Sequence, residues 1–301
     1  MGSASATSRL GRRADLHCHS TVSDGLLDPD VLAQRAHDNG VELWSLTDHD
    51  ELSGLAQARQ AANALGMPFL TGVEISVTWA SKTLHVVGLG IDETEPLLKE
   101  GLANLRRGRV ERAHQMADKF ESLGYPGVFE GALAFAGNPD LISRTHFARH
   151  LVDTGQAKNM QAVFDRFLKD DGPAFVPTKW ATLEQALAWI HAAQGVAVIA
   201  HPGRYSYSEL QFDALFSEFK DLGGLAIEVN TGSHQPWQFK TYAAVAKRYG
   251  FLASCGSDFH GAKESRCDLG QVPVLHPELT PVWHTPALRE QLQGVAADLF
   301  Q

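Results

Sequence analysis

Between Ala14 and Gly90 the chain alternates short apolar runs with stretches whose apolar residues recur at helical spacing. "ADLHCH" ends a strand, "DPDVLAQRAHDNG" is a capped helix closing on Gly40, and "VELWSLTDHD" returns as a strand. "SGLAQARQAANALG" is a second helix ending at Gly66, and "MPFLTGVEISV" and "LHVVGLGI" are further strands. Helices of about a dozen residues between short apolar strands predict parallel βα units. From Glu95 to Leu123 the rhythm gives way to one long charged helix, followed by the helix-like "ALAFAG", "SRTHFARHLVDTG" and "NMQAVFDRFL". "TLEQALAWIHAAQG" restarts the alternation, and "VAVIAHPG", "GLAIEVNTG" and "FLASCGSDFH" are three more strand-plus-loop units.

The pattern predicts a discontinuous α/β domain formed by residues 14–99 and 169–301, a helical insertion over 100–168, and a disordered tail over 1–13. At 301 residues and 44% hydrophobic content the chain can bury a large core. The tail has no apolar core of a signal peptide, and no apolar run approaches the ~20 residues that span a bilayer. Three cysteines without a pairing pattern (Cys18, Cys255, Cys267) argue against disulfide staples and fit a reducing cytoplasm. A formal charge of −9 excludes a broad basic grip on duplex DNA, though not a small phosphorylated substrate.

The chemistry lies where the strands end. In an extended segment alternate side chains share a face, so His17 and His19 point one way and Cys18 points into the core. The other strand ends contribute Asp24, His49, Glu74, His85, His201, Asp258 and His260, with Asn230 nearby. Catalytic groups of α/β barrels come from the C-terminal ends of several strands. Imidazole and carboxylate without thiolate suit manganese, iron or zinc in open catalytic sites, and a carboxylate such as Glu74 can bridge two ions.

The ordered motifs "DLHCHSTVSDG", "LTDHD", "GVEIS", "LHVVG", "AHPG" and "SDFH" resemble those of the PHP (polymerase and histidinol phosphatase) family. The resemblance implies a distorted (β/α)7 barrel with three divalent ions, manganese first and iron or zinc as alternatives. It places one ion on His17, His19, Glu74 and Asp258, a second on Glu74, His85 and His201, and a third on Asp24, His49 and His260. Asp24 stands where many members carry histidine, a hard oxygen that favours manganese or iron. The stretch "ISRTHFARHL" resembles the insertion of the family's stand-alone nucleotide phosphoesterases. The implied reaction is removal of the 3'-phosphate from nucleoside 3',5'-bisphosphates. The alternatives are 5'-to-3' hydrolysis of short RNA, a histidinol phosphatase, or a silent metal-binding module. No membrane and no obligate protein partner is expected.

Four residues are candidates for holding substrate. Arg144 and His146 open a helix, where amides and dipole favour an anion; the competing reading is a capping contact. Arg204 follows "AHPG" and could stabilise phosphoryl charge, or lie idle on the surface. Asn230 could face the same mouth or merely begin a turn. Asp48 should face away from His49 and serve as a helix cap or a support for a ligand. The remaining histidines, His234 among them, are expected on the surface or packed, and the aromatics of "QPWQFKTYAAVAKRYG" on a helix core face.

Overall fold

The computed structural model describes residues 13–169 and 171–292. Among these residues seven strands run in chain order around one sheet: β1 (Ala14–Asp15), β2 (Leu43–Leu46), β3 (Phe69–Trp79), β4 (Lys82–Leu89), β5 (Val196–Ile199), β6 (Ala226–Thr231) and β7 (Leu252–Gly256). The ring closes where the Leu16 amide donates to the Cys255 carbonyl at 3.0 Å and the Asp258 amide to the His17 carbonyl at 2.8 Å. The fold is therefore the expected distorted α/β barrel. Among the described residues ten α-helices accompany it: α1 (Pro29–Asp38), α2 (Leu55–Ala64), α3 (Pro96–Ser122), α4 (Val128–Leu133), α5 (Arg144–Asp153), α6 (Met160–Val163, continued by a π-helical turn), α7 (Leu183–Ala192), α8 (Glu209–Asp221), α9 (Pro236–Tyr249) and α10 (Pro286–Leu292).

Local chemistry sets the boundaries. Pro29 and Pro96 occupy first helical turns, where the missing N–H costs nothing. Glu95 caps α3 by accepting from the Leu97 amide at 3.2 Å. Gly40 and Gly66, at φ +76° and +66°, end α1 and α2 in the left-handed conformation that glycine adopts freely.

The strands are not all parallel. β3 pairs antiparallel with β4, and β4 antiparallel with β5. The connection from Trp79 to Lys82 has only Ala80 and Ser81, both at positive φ (46° and 63°), which is the geometry of a tight hairpin. His85 thus lies in the first half of β4, opposite Ser76, and Glu74 in the middle of β3. The expectation that every ligand sits at a C-terminal strand end fails for these two. His85 still reaches the site because reversing β4 turns its early residues toward the same rim, and Glu74 because β3 runs on past the end of β2 to lie level with His49.

The main apolar core fills the space between barrel and outer helices, with Trp44, Phe219 and Phe259 fully buried. A second cluster, built on Phe120, Phe147 and Phe167, lies among α3, α4, α5 and the π-helical turn. Helix α3 serves both: Leu98, Leu102 and Leu105 join the barrel core, and Ala113, Met116 and Phe120 join the second. The expectation of a disordered tail falls outside the described residues except at Arg13, whose guanidinium donates to the Asn39 carbonyl at 2.9 Å. Trp237 departs from the expected core face of α9. It is 67% exposed, and Tyr242 and Ala246 are that helix's buried side.

Candidate metal centre

His17 and His19 lie in extended chain just after β1, their Nε2 atoms 3.1 Å apart, while the Cys18 thiol turns the other way against Trp44 and the Ser45 carbonyl. All nine predicted ligands converge. Glu74, fully buried, is the hub: Oε1 lies 2.9 Å from His85 Nδ1 and 2.9 Å from His201 Nε2. Its Oε2 lies 2.9 Å from His49 Nδ1 and 3.3 Å from both His17 and His19. Asp258 Oδ1 stands 3.4 Å from His19 and 3.6 Å from His17. Asp24 Oδ1 stands 3.4 Å from His260 and 3.9 Å from His49.

Donor atoms within 4.8 Å of one another form four overlapping sets: His17, His19 and Glu74; His17, His201 and Asp258; His49, Glu74 and His85; His19, Asp24, His49 and His260. His19 thus joins the Asp24 set, and Asp258 associates with His17 and His201. Asp24 Oδ1, Glu74 Oε2, His49 Nδ1 and His85 Nδ1 are buried without a hydrogen-bond partner. Buried polar atoms are otherwise almost always paired, so lone pairs converging on shared space fit cations. Burial pushes the Glu74, Asp24 and Asp258 carboxyls up, but the adjacent histidines outweigh it and hold all three well below the usual range. They remain anionic, as metal binding requires.

One supporting carboxylate was missed from sequence. Glu228, on β6, is 1% exposed, and its Oε1 lies 2.8 Å from His17 Nδ1. Its Oε2 accepts the His201 amide at 2.6 Å, holding a residue whose φ is +29°. The same face was expected to carry Asn230. A bulge between Glu228 and Asn230 changes the register against β7. Asn230 is consequently turned away, its amide donating to the Pro273 and Val274 carbonyls at 2.8 and 3.2 Å. A carboxylate inside the apolar run "LAIEV" was the available signal, because a buried charge demands a partner.

Asp48 supports the site but caps no helix. It accepts from the Ser20 amide (2.7 Å) and the Ser20 and Ser23 hydroxyls (2.6 and 2.5 Å), pinning the turn that presents Asp24. His234, expected to be incidental, holds the loop after His201. Its Nδ1 donates to the Val229 carbonyl at 3.1 Å, and its Nε2 accepts from the Gly203 amide at 2.9 Å.

Above the cluster opens a cavity of about 470 Å³, within the range of small-molecule sites. Asp24, His49, His85, Asp258 and His260 line it, and Arg109, Arg112, Arg144, Arg204 and Arg266 bring five guanidinium groups to the same lining. Of the predicted substrate residues, Arg144 and Arg204 face this cavity, and Arg204 also reaches Asp258 at 3.2 Å. His146 does not line it. It is 1% exposed, and its Nδ1 accepts from the Ser143 amide at 3.0 Å in a capping box. Arg109 and Arg112, on α3, were not anticipated. Arg109 forks onto Asp50 at 2.8 and 2.5 Å, and both lie over the Trp180 ring, at 4.9 and 5.4 Å.

Residues 15–232 match the family model of the PHP domain. The chain belongs to the PHP family. Among curated PHP relatives, the 3',5'-nucleoside bisphosphate phosphatase of Chromobacterium violaceum is 48% identical over 269 residues, covering 89% of this chain and 94% of that protein. The 5'-3' exoribonuclease of Haemophilus influenzae is 38% identical over 274 residues, covering 91% and 99%. Among solved PHP-type structures, an amidohydrolase from Chromobacterium violaceum with bound sulfate superposes at a TM-score of 0.88 and 47% identity, covering 93% of this chain and 96% of that one. A metal-dependent phosphoesterase described from Bifidobacterium adolescentis gives 0.75 at 26% identity, covering 94% and 95%.

Proposed function

We propose that the chain is a metal-dependent phosphomonoesterase that removes the 3'-phosphate of nucleoside 3',5'-bisphosphates, leaving a nucleoside 5'-monophosphate and phosphate. The observation that carries this reading is the division of one cavity into two charge zones. At and beneath its floor lie nine imidazoles and carboxylates suited to cations, five of them in the lining, and its walls carry guanidinium groups suited to an anion. A substrate with two phosphates, one to be cleaved and one to be held, matches that division. The 48% identity to a phosphatase for such substrates supports it.

His17, His19, Asp24, His49, Glu74, His85, His201, Asp258 and His260 would hold up to three divalent ions, with manganese favoured by the hard carboxylates. Ions there would neutralise phosphate oxygens and lower the pKa of a bound water toward neutrality. Around them the protein's own groups orient and exclude. Glu228 fixes the His17 ring, Arg204 approaches developing phosphoryl charge beside Asp258, and Arg144 takes the second phosphate from the far wall. Residues 100–168 form the cap that supplies that wall. Among the described residues no helix is long and apolar enough to cross a membrane, and a cytoplasmic setting agrees with three unpaired cysteines.

A second reading, 5'-to-3' hydrolysis of short RNA, is favoured by the relatives named for that activity, which align over most of the chain. Phosphate and nucleotide release should be measured with added manganese on a 3',5'-bisphosphate, the matching 3'- and 5'-monophosphates, histidinol phosphate and 5'-phosphorylated oligoribonucleotides. The proposal expects the highest kcat/KM on the bisphosphate. Stepwise shortening of oligonucleotides at a higher kcat/KM would install the second reading, and equal rates on monophosphates would remove the role of the second phosphate.

A further inference from the structure

Helix α5 belongs to the helical segment outside the barrel, yet it grips the barrel's own ligand loops. Arg149 is 5% exposed and makes three hydrogen bonds. Its Nη2 donates to the Asp24 carbonyl oxygen at 2.6 Å and to Glu264 at 2.7 Å, and its Nε donates to the other Glu264 oxygen at 2.8 Å. Asp24 is in the loop after β1, and Glu264 is in the loop that carries His260. That second loop is tight: the Ser265 hydroxyl accepts from the His260 amide at 2.7 Å, and the Glu264 amide donates to the Gly261 carbonyl at 3.1 Å. The two loops also meet directly, the Leu26 amide donating to the His260 carbonyl at 2.8 Å. From the N-cap of α5, Ser143 Oγ donates to the Asp24 carboxylate at 3.3 Å.

We infer that Arg149 is a positioning residue that assembles the Asp24–His49–His260 cation site by clamping two barrel loops to the helical segment. The inference rests on reading these residues as metal ligands, and Arg149 itself touches none of their donor atoms. The planar fork reaches a carboxylate with both ends while one end also meets the Asp24 carbonyl, which a lysine ammonium cannot reproduce. Supporting groups of this kind alter metal affinity by ~10–100-fold when removed. The helical segment would then be required for complete metal loading as well as for holding substrate.

The test is manganese binding to the full chain, by equilibrium dialysis with elemental analysis and by calorimetry, on wild type, Arg149→Met, Arg149→Lys and Glu264→Gln. One class of ion should weaken by about tenfold or more in Arg149→Met. A smaller loss is expected in the two milder variants, while the remaining ions bind as in wild type. Thermal unfolding of the metal-free proteins checks that each is folded, and if Arg149→Met is not, Arg149→Lys and Glu264→Gln carry the same expectation. Wild-type stoichiometry and affinity in the folded variants would overturn the clamp alone. A wild-type chain that binds no manganese would overturn the metal reading together with it. Uniform weakening of all ions would also overturn the proposal, because it would mark a general structural role.

Discussion

Glu228→Gln separates charge and proton placement from shape. The wild-type carboxylate accepts twice, from His17 Nδ1 at 2.8 Å and from the His201 amide at 2.6 Å. That fixes the proton of a neutral His17 on Nδ1 and leaves Nε2 a lone pair facing Glu74, His19 and Asp258. Glutamine is nearly isosteric but has only one acceptor oxygen. If that oxygen keeps the His201 amide, the NH2 group confronts Nδ1 and drives the His17 proton to Nε2, where a ligand lone pair is needed. In the other orientation two N–H donors face each other at His201, whose backbone is already in the left-handed region. The first orientation removes a ligand lone pair and the second leaves a buried donor unsatisfied, a loss of ~1–3 kcal/mol. With 1.4 kcal/mol per factor of ten, manganese affinity and kcat/KM should fall about 5- to 140-fold. The assay is phosphate release with calorimetric manganese binding on the same preparation, and circular dichroism confirms the fold. A variant within twofold of wild type in both would refute the assignment of Glu228 as the residue that sets the His17 tautomer.

Arg144→Ala should lower kcat/KM for a nucleoside 3',5'-bisphosphate about 10- to 140-fold, from the ~1.5–3 kcal/mol of a hydrogen bond to a charged group, while a 3'-monophosphate changes little; equal losses would place Arg144 on the reacting phosphate. Burial pushes His234 down to about 4, so its neutral form contributes stability present above pH 6.5 and lost as pH falls from 6.5 toward 4. Between pH 7 and 5 wild type should therefore lose about 2 kcal/mol more unfolding free energy than His234→Phe, at 1.36 kcal/mol per pH unit, and identical slopes in urea titrations would contradict this. Gly256→Ala would put a methyl 2.3 Å from His17 Cβ and 2.6 Å from its amide nitrogen, forcing β1 and β7 apart at the barrel's closure. A clear drop in Tm with loss of phosphate release should follow, and an unchanged Tm would show that the seam can give.

The sequence carried the barrel wherever structure is local. Helices α1, α2, α3 and α7 were visible because proline, capping side chains and terminal glycines coincide with apolar periodicity. The β3–β4 hairpin was hidden, since its turn is Ala80–Ser81 rather than the Asn-Gly or Asp-Gly that advertises positive φ. The nine converging residues could be named from strand ends, although His85 reaches the rim by strand reversal and Glu74 by the length of β3 beyond β2. Asn230 was a candidate for the site and Glu228 was missed, because a bulge is a register event between two strands, and one strand's sequence does not record it. Arg109, Arg112 and Arg149 were equally invisible: each looks like an ordinary charge on a helix until Trp180, Asp50 or Glu264 arrives from far along the chain.

Helix α3 has a mechanical consequence. Its 27 residues make a rod of about 40 Å at 1.5 Å per residue, rooted at one end in the barrel core and at the other in the second core. A rod cannot flex at its midpoint without breaking consecutive backbone hydrogen bonds, so the usual hinge between two packed bodies is missing on this side. The chain returns to the barrel through residues 173–180, which have no regular secondary structure and are tied to α3 where Arg112 Nε donates to the Val176 carbonyl at 3.2 Å. On this side of the cavity, widening is therefore left to that return path, with α3 as the fixed edge of the door.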